Sequence, residues 1–186
     1  MGMAAFGEPC IDMNYCFNDW ANWHKGFPLE DFKGCHPYDI AASAQMQIEY
    51  EIERIISLAA NHGTKLCYSG GVALNCVANS KILHHYFKED DIYIFPNPGD
   101  AGSSLGAALG YIGEQINFKD CFLGLEIKGM PNPRKIVDAL LAYKVVGVAN
   151  GKAEFGPRAL GNRSLLGDPR YSIKRTVNRI KRRQKM

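Results

Sequence analysis

Apolar positions recur along this chain in two rhythms, and their alternation predicts a mixed α/β protein. From Asp39 the spacing is helical: Ile48, Ile52, Ile55, Ile56 and Ala59 share one face, while Glu51, Glu53 and Arg54 fall elsewhere. Gly63 stands where a left-handed cap would end that helix. The apolar run Leu66-Cys67-Tyr68 reads as a buried strand, and it enters two adjacent glycines, Gly70 and Gly71. A second helix is expected over residues 74–87, burying Val77, Ile82 and Leu83. Ile92-Tyr93-Ile94-Phe95 is the next strand, followed by a loop through Pro98-Gly99-Asp100 and a helix carrying Leu105, Ala107, Ala108, Leu109 and Ile112. Gly102, Gly106 and Gly110 recur every four residues in that helix, which gives it a smooth face for close approach to a sheet or a nucleotide.

Further along, residues 117–132 form a connector containing Gly124, Gly129 and Pro131, and a domain boundary is expected there, giving units 1–127 and 128–186. Asn132-Pro133 begins a helix by cap and early-proline logic, with Ile136, Val137, Leu140 and Leu141 along it. Val145–Ala149 is a strand, and the tail from Ser172 is helical, with Ile173, Val177 and Ile180 on one side. Residues 1–37, rich in Gly, Pro, Asn and aromatic side chains, read as loops with short elements. Their abrupt opening leads one to expect a preceding segment.

Composition narrows the class. At 186 residues with 46% hydrophobic and 22% charged side chains, the chain has ample material for a core. No stretch approaches the roughly 20 apolar residues needed to span a bilayer, so no membrane partner is expected. The six cysteines contain no C-x-x-C pair. Cys67 and Cys121 read as small core residues, and the set Cys10, Cys16, Cys35 and His36 matches no zinc spacing. The cytoplasm, where thiols stay reduced, is the expected compartment. The formal net charge of +3 is unevenly placed, because Lys174, Arg175, Arg179, Lys181, Arg182, Arg183 and Lys185 crowd the tail. Such a helix is more often docked by its apolar stripe than a nucleic-acid binder, so nucleic acid is not the expected partner.

Three places carry candidate chemistry. The Gly70-Gly71 turn ends a strand, where backbone without Cβ lets an anion approach open amides. Asn75 beyond it can cap the following helix or hydrogen-bond a ribose or phosphate oxygen. The second strand-end loop offers the carboxylate of Asp100, either as a turn aspartate or as a ligand for a metal or metal-bound phosphate. The third is Glu154-Phe155-Gly156-Pro157-Arg158-Ala159-Leu160-Gly161-Asn162-Arg163-Ser164, preceded by Gly151 and Lys152. Guanidinium groups among glycines make an anion-binding loop, and Phe155, Leu160, Leu165 and Leu166 are expected to hold it down.

Together these blocks resemble the O-carbamoyltransferases of the NodU/CmcH type, which act in nodulation-factor and antibiotic biosynthesis. Met1-Gly2-Met3-Ala4-Ala5-Phe6-Gly7-Glu8-Pro9 is similar to that family's M-G-L-A-x-Y-G-x-P. Residues 70–76 with Asn79 and the Gly99-Asp100-Ala101-Gly102 loop resemble its G-G-V-A-L-N-C and G-D-A-G segments, and residues 154–164 its E-F-G-P-R-A-L-G-N-R-S. The resemblance implies a partial actin/sugar-kinase-like (ATPase-like) lobe followed by the start of a YrdC-like α/β domain. It implies that ATP and carbamoyl phosphate give a carbamoyl-adenylate, from which the carbamoyl group passes to a hydroxyl of a small molecule or sugar. Gly70, Gly71 and Asn75 would contact the nucleotide. Arg158 and Arg163, with Lys181 and Arg183, would hold carbamoyl phosphate or ATP phosphates. Asp100 matches a ligand of an iron-type metal or Mg, completed only in the full enzyme. The family's first half and its metal-binding histidines are missing here, so a separately encoded N-terminal half is an expected partner. The rival expectation is a non-catalytic nucleotide-binding or interaction module with a basic tail.

Overall fold

The computed structural model describes residues 1–14, 29–129 and 131–183. Cys16 of the cysteine–histidine set, Lys185 of the tail and part of the loop-rich opening segment lie outside them. The chain divides into two compact units, Met1–Gly99 and Asp100–Met186. Residues 127 and 128, where the sequence reading sets its boundary, fall within the second unit.

The first unit is built on helix α1 (Pro37–Ala60), which begins at Pro37 with His36 as its cap: the His36 ring nitrogen Nδ1 accepts from the Tyr38 amide at 3.3 Å. It ends before Gly63, and no left-handed residue closes it. Instead the last turn tightens: the amides of Asn61 and His62 donate to Leu58 and Ala59 carbonyls at 3.1 and 2.9 Å, satisfying groups that Gly63 was expected to serve. Ile52 and Ile56 of α1 meet Ala78, Ile82 and Leu83 of helix α2 (Cys76–Tyr86) and Phe87 in a buried cluster. Ile55 and Val77, expected in that core, are 56% and 37% exposed, because the buried stripe is narrower than the apolar run of the sequence.

Strands β1 (Leu66–Tyr68) and β2 (Ile92–Ile94) pair in parallel, Leu66 opposite Ile92 and Tyr68 opposite Ile94. Their first and third residues pack against the helical cluster. Cys67 points the other way and is exposed, so it is not a core residue as expected: the side-chain period of two turns it off the packed face. Cys121 is half-buried, and the five described cysteines are free thiols. The opening segment is strapped to α1 through Ser43, a fully buried hydroxyl. It accepts from the Cys10 and Ile11 amides at 3.0 and 3.1 Å and donates to the Asp39 carbonyl at 2.8 Å.

The second unit holds helix α3 (Ser103–Ile112), strand β3 (Glu126–Ile127), helix α4 (Pro133–Tyr143), strands β4 (Val145–Ala149), β5 (Gly151–Lys152) and β6 (Arg163–Gly167), and helix α5 (Lys174–Ile180). The side chain of Asn132 caps α4 by accepting from the Arg134 amide at 2.9 Å, as its sequence predicts. β4 and β6 pair antiparallel, and so do β3 and β5. A Cβ on Gly167 of β6 would meet the tip of the Ile173 side chain at the base of α5, which would have to turn aside. Among the described residues of this unit only the side chain of Asp168 is buried, and every buried hydrophobic belongs to the first unit. On the smooth face of α3, a Cβ on Gly106 or Gly110 would find open space among the described residues. The sheets of this unit, β3–β5 and β4–β6, are each two-stranded, an arrangement of marginal stability by itself. No helix among the described residues is long and apolar enough to cross a membrane.

Candidate functional site

Parallel pairing of β1 and β2 sends both following loops out at the same end, where open α/β sheets bind ligands. The loops are joined: the Gly70 amide donates to the Pro98 carbonyl at 2.7 Å, and the Ser69 hydroxyl to the same oxygen at 3.2 Å. Gly70 has φ of +107°, a left-handed value that glycine adopts without strain. Gly71 follows in an exposed position with open space where a Cβ would stand. A short 3-10 turn, Gly71–Leu74, separates the strand from α2, so the strand does not run straight into the helix as expected. The amides of Gly71 and Val72 find no acceptor among the described residues.

Asn75 takes the first of the two roles open to it. It is 7% exposed, and its Oδ1 accepts from the Ala78 amide at 3.2 Å as the cap of α2. Its amide also pairs reciprocally with that of Gln45, both bonds at 3.2 Å. Gln45 in turn donates to Glu49 at 2.8 Å, and Glu49 accepts from Lys81 at 2.8 Å. Asn79 braces the turn from behind, donating from Nδ2 to the Ala73 carbonyl at 2.8 Å. The geometry therefore places Gly70 and Gly71 at the surface and Asn75 beneath them as support.

Asp100 is exposed at the start of a 3-10 turn, Asp100–Gly102, ahead of α3. Among the described residues no three His, Cys, Asp or Glu side chains converge to hold an ion. One exposed carboxylate does not fit a transition-metal site by itself, because such a site needs several fixed donors.

The arginine loop, residues 150–163, is held by two opposed clamps. Oε1 of Glu154 accepts from the amides of Leu160, Asn162 and Arg163 at 2.8, 2.9 and 3.3 Å. The Leu160 amide is the main reason its carboxyl lies below the ordinary range; partial burial opposes the shift, and the remaining amide bonds add to it. From the other side, the guanidinium of Arg163 donates to carbonyls of Asn150, Asn162 and Leu125 at 2.7, 2.8 and 2.8 Å. Arg163 is thus committed to main chain, whereas Arg158 is exposed and without an ion pair or hydrogen bond among the described residues. Leu160, Leu165 and Leu166 are exposed and do not anchor the loop as expected; Leu165 and Leu166, adjacent in β6, point to opposite faces of the strand. Glu154 was missed by the sequence reasoning; its signal is that it is the one carboxylate among the loop's glycines and cations.

Lys181 and Arg183 are exposed just beyond α5. Arg183 borders an open groove of about 750 Å³ with Ser172, Lys174, Arg175, Thr176 and Arg179. Neither Arg158 nor Arg163 is among the residues that line it.

Comparison with known proteins accounts for these motifs. The family model described as "Carbamoyltransferase N-terminus" matches residues 14–109, and "Carbamoyltransferase C-terminus" matches residues 137–186. The chain is 35% identical over 164 residues to nodulation protein NolO of Bradyrhizobium diazoefficiens, covering 71% of this chain and 29% of that protein. It is 35% identical over 141 residues to 3'-hydroxymethylcephem-O-carbamoyltransferase of Streptomyces clavuligerus, covering 66% and 26% respectively. An uncharacterized protein of Synechocystis, sll1178, is 34% identical over 178 residues, 77% of this chain and 28% of that one. The chain spans less than a third of the length of each of these relatives. With both family segments matched in order, and with the loops of the site inside them, the chain belongs to the carbamoyltransferase family.

Proposed function

We propose that this chain serves O-carbamoyl transfer: a carbamoyl group passes from carbamoyl phosphate, through an ATP-derived carbamoyl-adenylate, to a hydroxyl of a small molecule or sugar. In this reading the ATPase-like lobe supplies the nucleotide turn, with Gly70 and Gly71 offering backbone to phosphate and Asn75 holding that turn in shape. The start of a YrdC-like domain supplies Arg158 for the acyl phosphate, with Lys181 and Arg183 as further cations. Arg163 secures the loop that carries Arg158. The chain's contribution is positioning and charge neutralisation at a reactive acyl phosphate, which needs little acid–base machinery. A divalent metal belongs to this reading only with ligands from elsewhere in the longer family protein, Asp100 adding one donor, and no step here depends on it. The second unit, in which Asp168 is the one buried residue among those described, fits a chain that works with a further segment, either contiguous or separately encoded.

The observation that carries the reading is the joining of the two strand-end loops through Gly70 and Pro98, which leaves the Gly71 and Val72 amides open. Its test is equilibrium binding of ATP to the full chain and to Gly71→Val. The expected result is binding that the added side chain abolishes; equal affinity in both would remove the nucleotide turn from the account.

A second reading, a non-catalytic interaction module, is favoured by the exposed basic groove along α5. Nucleic-acid affinity that falls steeply with salt and vanishes on removal of residues 174–186, in a chain that binds no ATP, would establish it instead.

A further inference from the structure

We propose that Glu154 is a positioning residue for the acyl-phosphate ligand: its carboxylate, seated among three main-chain amides, sets the loop so that Arg158 is presented at the apex. The inference rests on the reading of Arg158 as an anion-binding group and extends it to a residue that makes no contact with the ligand.

In an open phosphate cradle the converging amides are left for the ligand. Here the amides of Leu160, Asn162 and Arg163 converge on one oxygen that the chain itself supplies. Gly161 makes this possible: with φ of +116° it reverses the backbone between Leu160 and Asn162 so that both amides face inward. Arg163 takes the carbonyls of Asn150, Asn162 and Leu125, so donors and acceptors at the base of the loop are both occupied. What lies between the clamps is the apex, where Pro157 and Arg158 are exposed.

The choice of partner for the carboxylate matters as much as its position. Glu154 and Arg158 are four residues apart in a basic loop, and a salt bridge between them would quench the cation. Instead the carboxylate charge is met by amide dipoles, and Arg158 keeps its fork for an external anion. This assigns Glu154 a geometric role, dependent on the length of its side chain and on one accepting oxygen. Its negative charge is secondary.

That distinction supplies the test. Carbamoyl phosphate, with inorganic phosphate in parallel, is titrated into the full chain by calorimetry for wild type, Arg158→Ala, Glu154→Gln, Glu154→Asp and the double variant Glu154→Asp/Arg158→Ala. Glutamine keeps the length and an accepting oxygen and loses the charge; aspartate keeps the charge and falls one methylene short. The expected result is binding within about threefold of wild type for Glu154→Gln and about tenfold weaker for Glu154→Asp. The double variant is expected to bind no more weakly than Arg158→Ala alone, because the two residues act through one contact. Thermal melting of each variant accompanies the titration, and Glu154→Gln remains informative if the aspartate variant folds poorly. Wild-type affinity in Arg158→Ala would overturn the reading of Arg158 itself. Weak binding by Arg158→Ala combined with aspartate outperforming glutamine, with tighter binding by either Glu154 variant, or with fully additive losses would overturn the role of Glu154 alone.

Discussion

Replacing Arg163 with alanine would remove the guanidinium that ties together the chain before β3, the β4–β5 link and the start of β6. Three of its bonds are well formed, to Asn150, Asn162 and Leu125 carbonyls at 2.7, 2.8 and 2.8 Å. Those to the Gly151 carbonyl, at 3.4 and 3.5 Å, sit at the limit of useful geometry. Hydrogen bonds from a charged donor contribute about 1.5–3 kcal/mol each. The freed carbonyls lie near the surface and regain water, so a net loss of about 2–4 kcal/mol is expected. Lysine should recover less than half of it, since a single ammonium cannot reproduce the planar fork that reaches three carbonyls. Urea unfolding gives the stability change, and amide exchange over residues 145–167 shows whether the loss is local to the loop. An Arg163→Ala chain with unchanged stability and exchange would refute the clamp. If it also lost carbamoyl phosphate affinity, Arg163 would return to the ligand-binding role that its sequence motif implies.

Other outcomes follow from the same geometry. Gly70→Ala should destabilise the first unit by about 1–2 kcal/mol, because φ of +107° strains any side chain, whereas Gly71→Val should melt near the wild-type temperature, having open space for its Cβ. Ile82→Ala, in a position 4% exposed, should cost about 2–4 kcal/mol in thermal or urea unfolding, while Val77→Ala on the exposed side should cost under about 0.5 kcal/mol. The Asp168 carboxyl is lowered from 3.8 to about 2, first by the Arg170 side chain and then by the Arg170 amide. Its folded value lies below its unfolded one, so its stabilisation is complete above about pH 4 and is lost as pH falls toward 2. Unfolding curves across that window should therefore decline more steeply for wild type than for Asp168→Asn.

Local features of this chain were legible where a residue's own chemistry decides the outcome. Asn132-Pro133 starts α4 because the cap and the missing proline N–H act within one turn, and Ile82 and Leu83 sit on a helix face that periodicity alone locates. Both strands, β1 and β2, stand where their apolar runs place them, and their parallel pairing came from the structure. Readings that depended on what lies opposite a residue fared differently. Cys67 is apolar in sequence surroundings yet faces away from the cluster, and Leu160 stays 59% exposed. Gly63 looked like a cap, but the Asn61 and His62 amides had already closed α1. In the site, glycines and arginines were visible as anion-binding material, while their division of labour was not. Arg158 and Arg163 are the same residue type in one motif, and only the path of the backbone turns one outward and the other onto carbonyls. The role of Glu154 was hidden for the same reason, its amide partners lying six to nine residues along the chain.

The most direct measurement is reconstitution with radiolabelled carbamoyl phosphate, ATP and a panel of alcohols. The chain would be mixed with the remaining segment of a full-length carbamoyltransferase relative. The account predicts a labelled adenylate, and then a labelled carbamoyl ester, only when both pieces are present, with both lost in Arg158→Ala. A complete pair that bound both substrates and yielded neither species would contradict it.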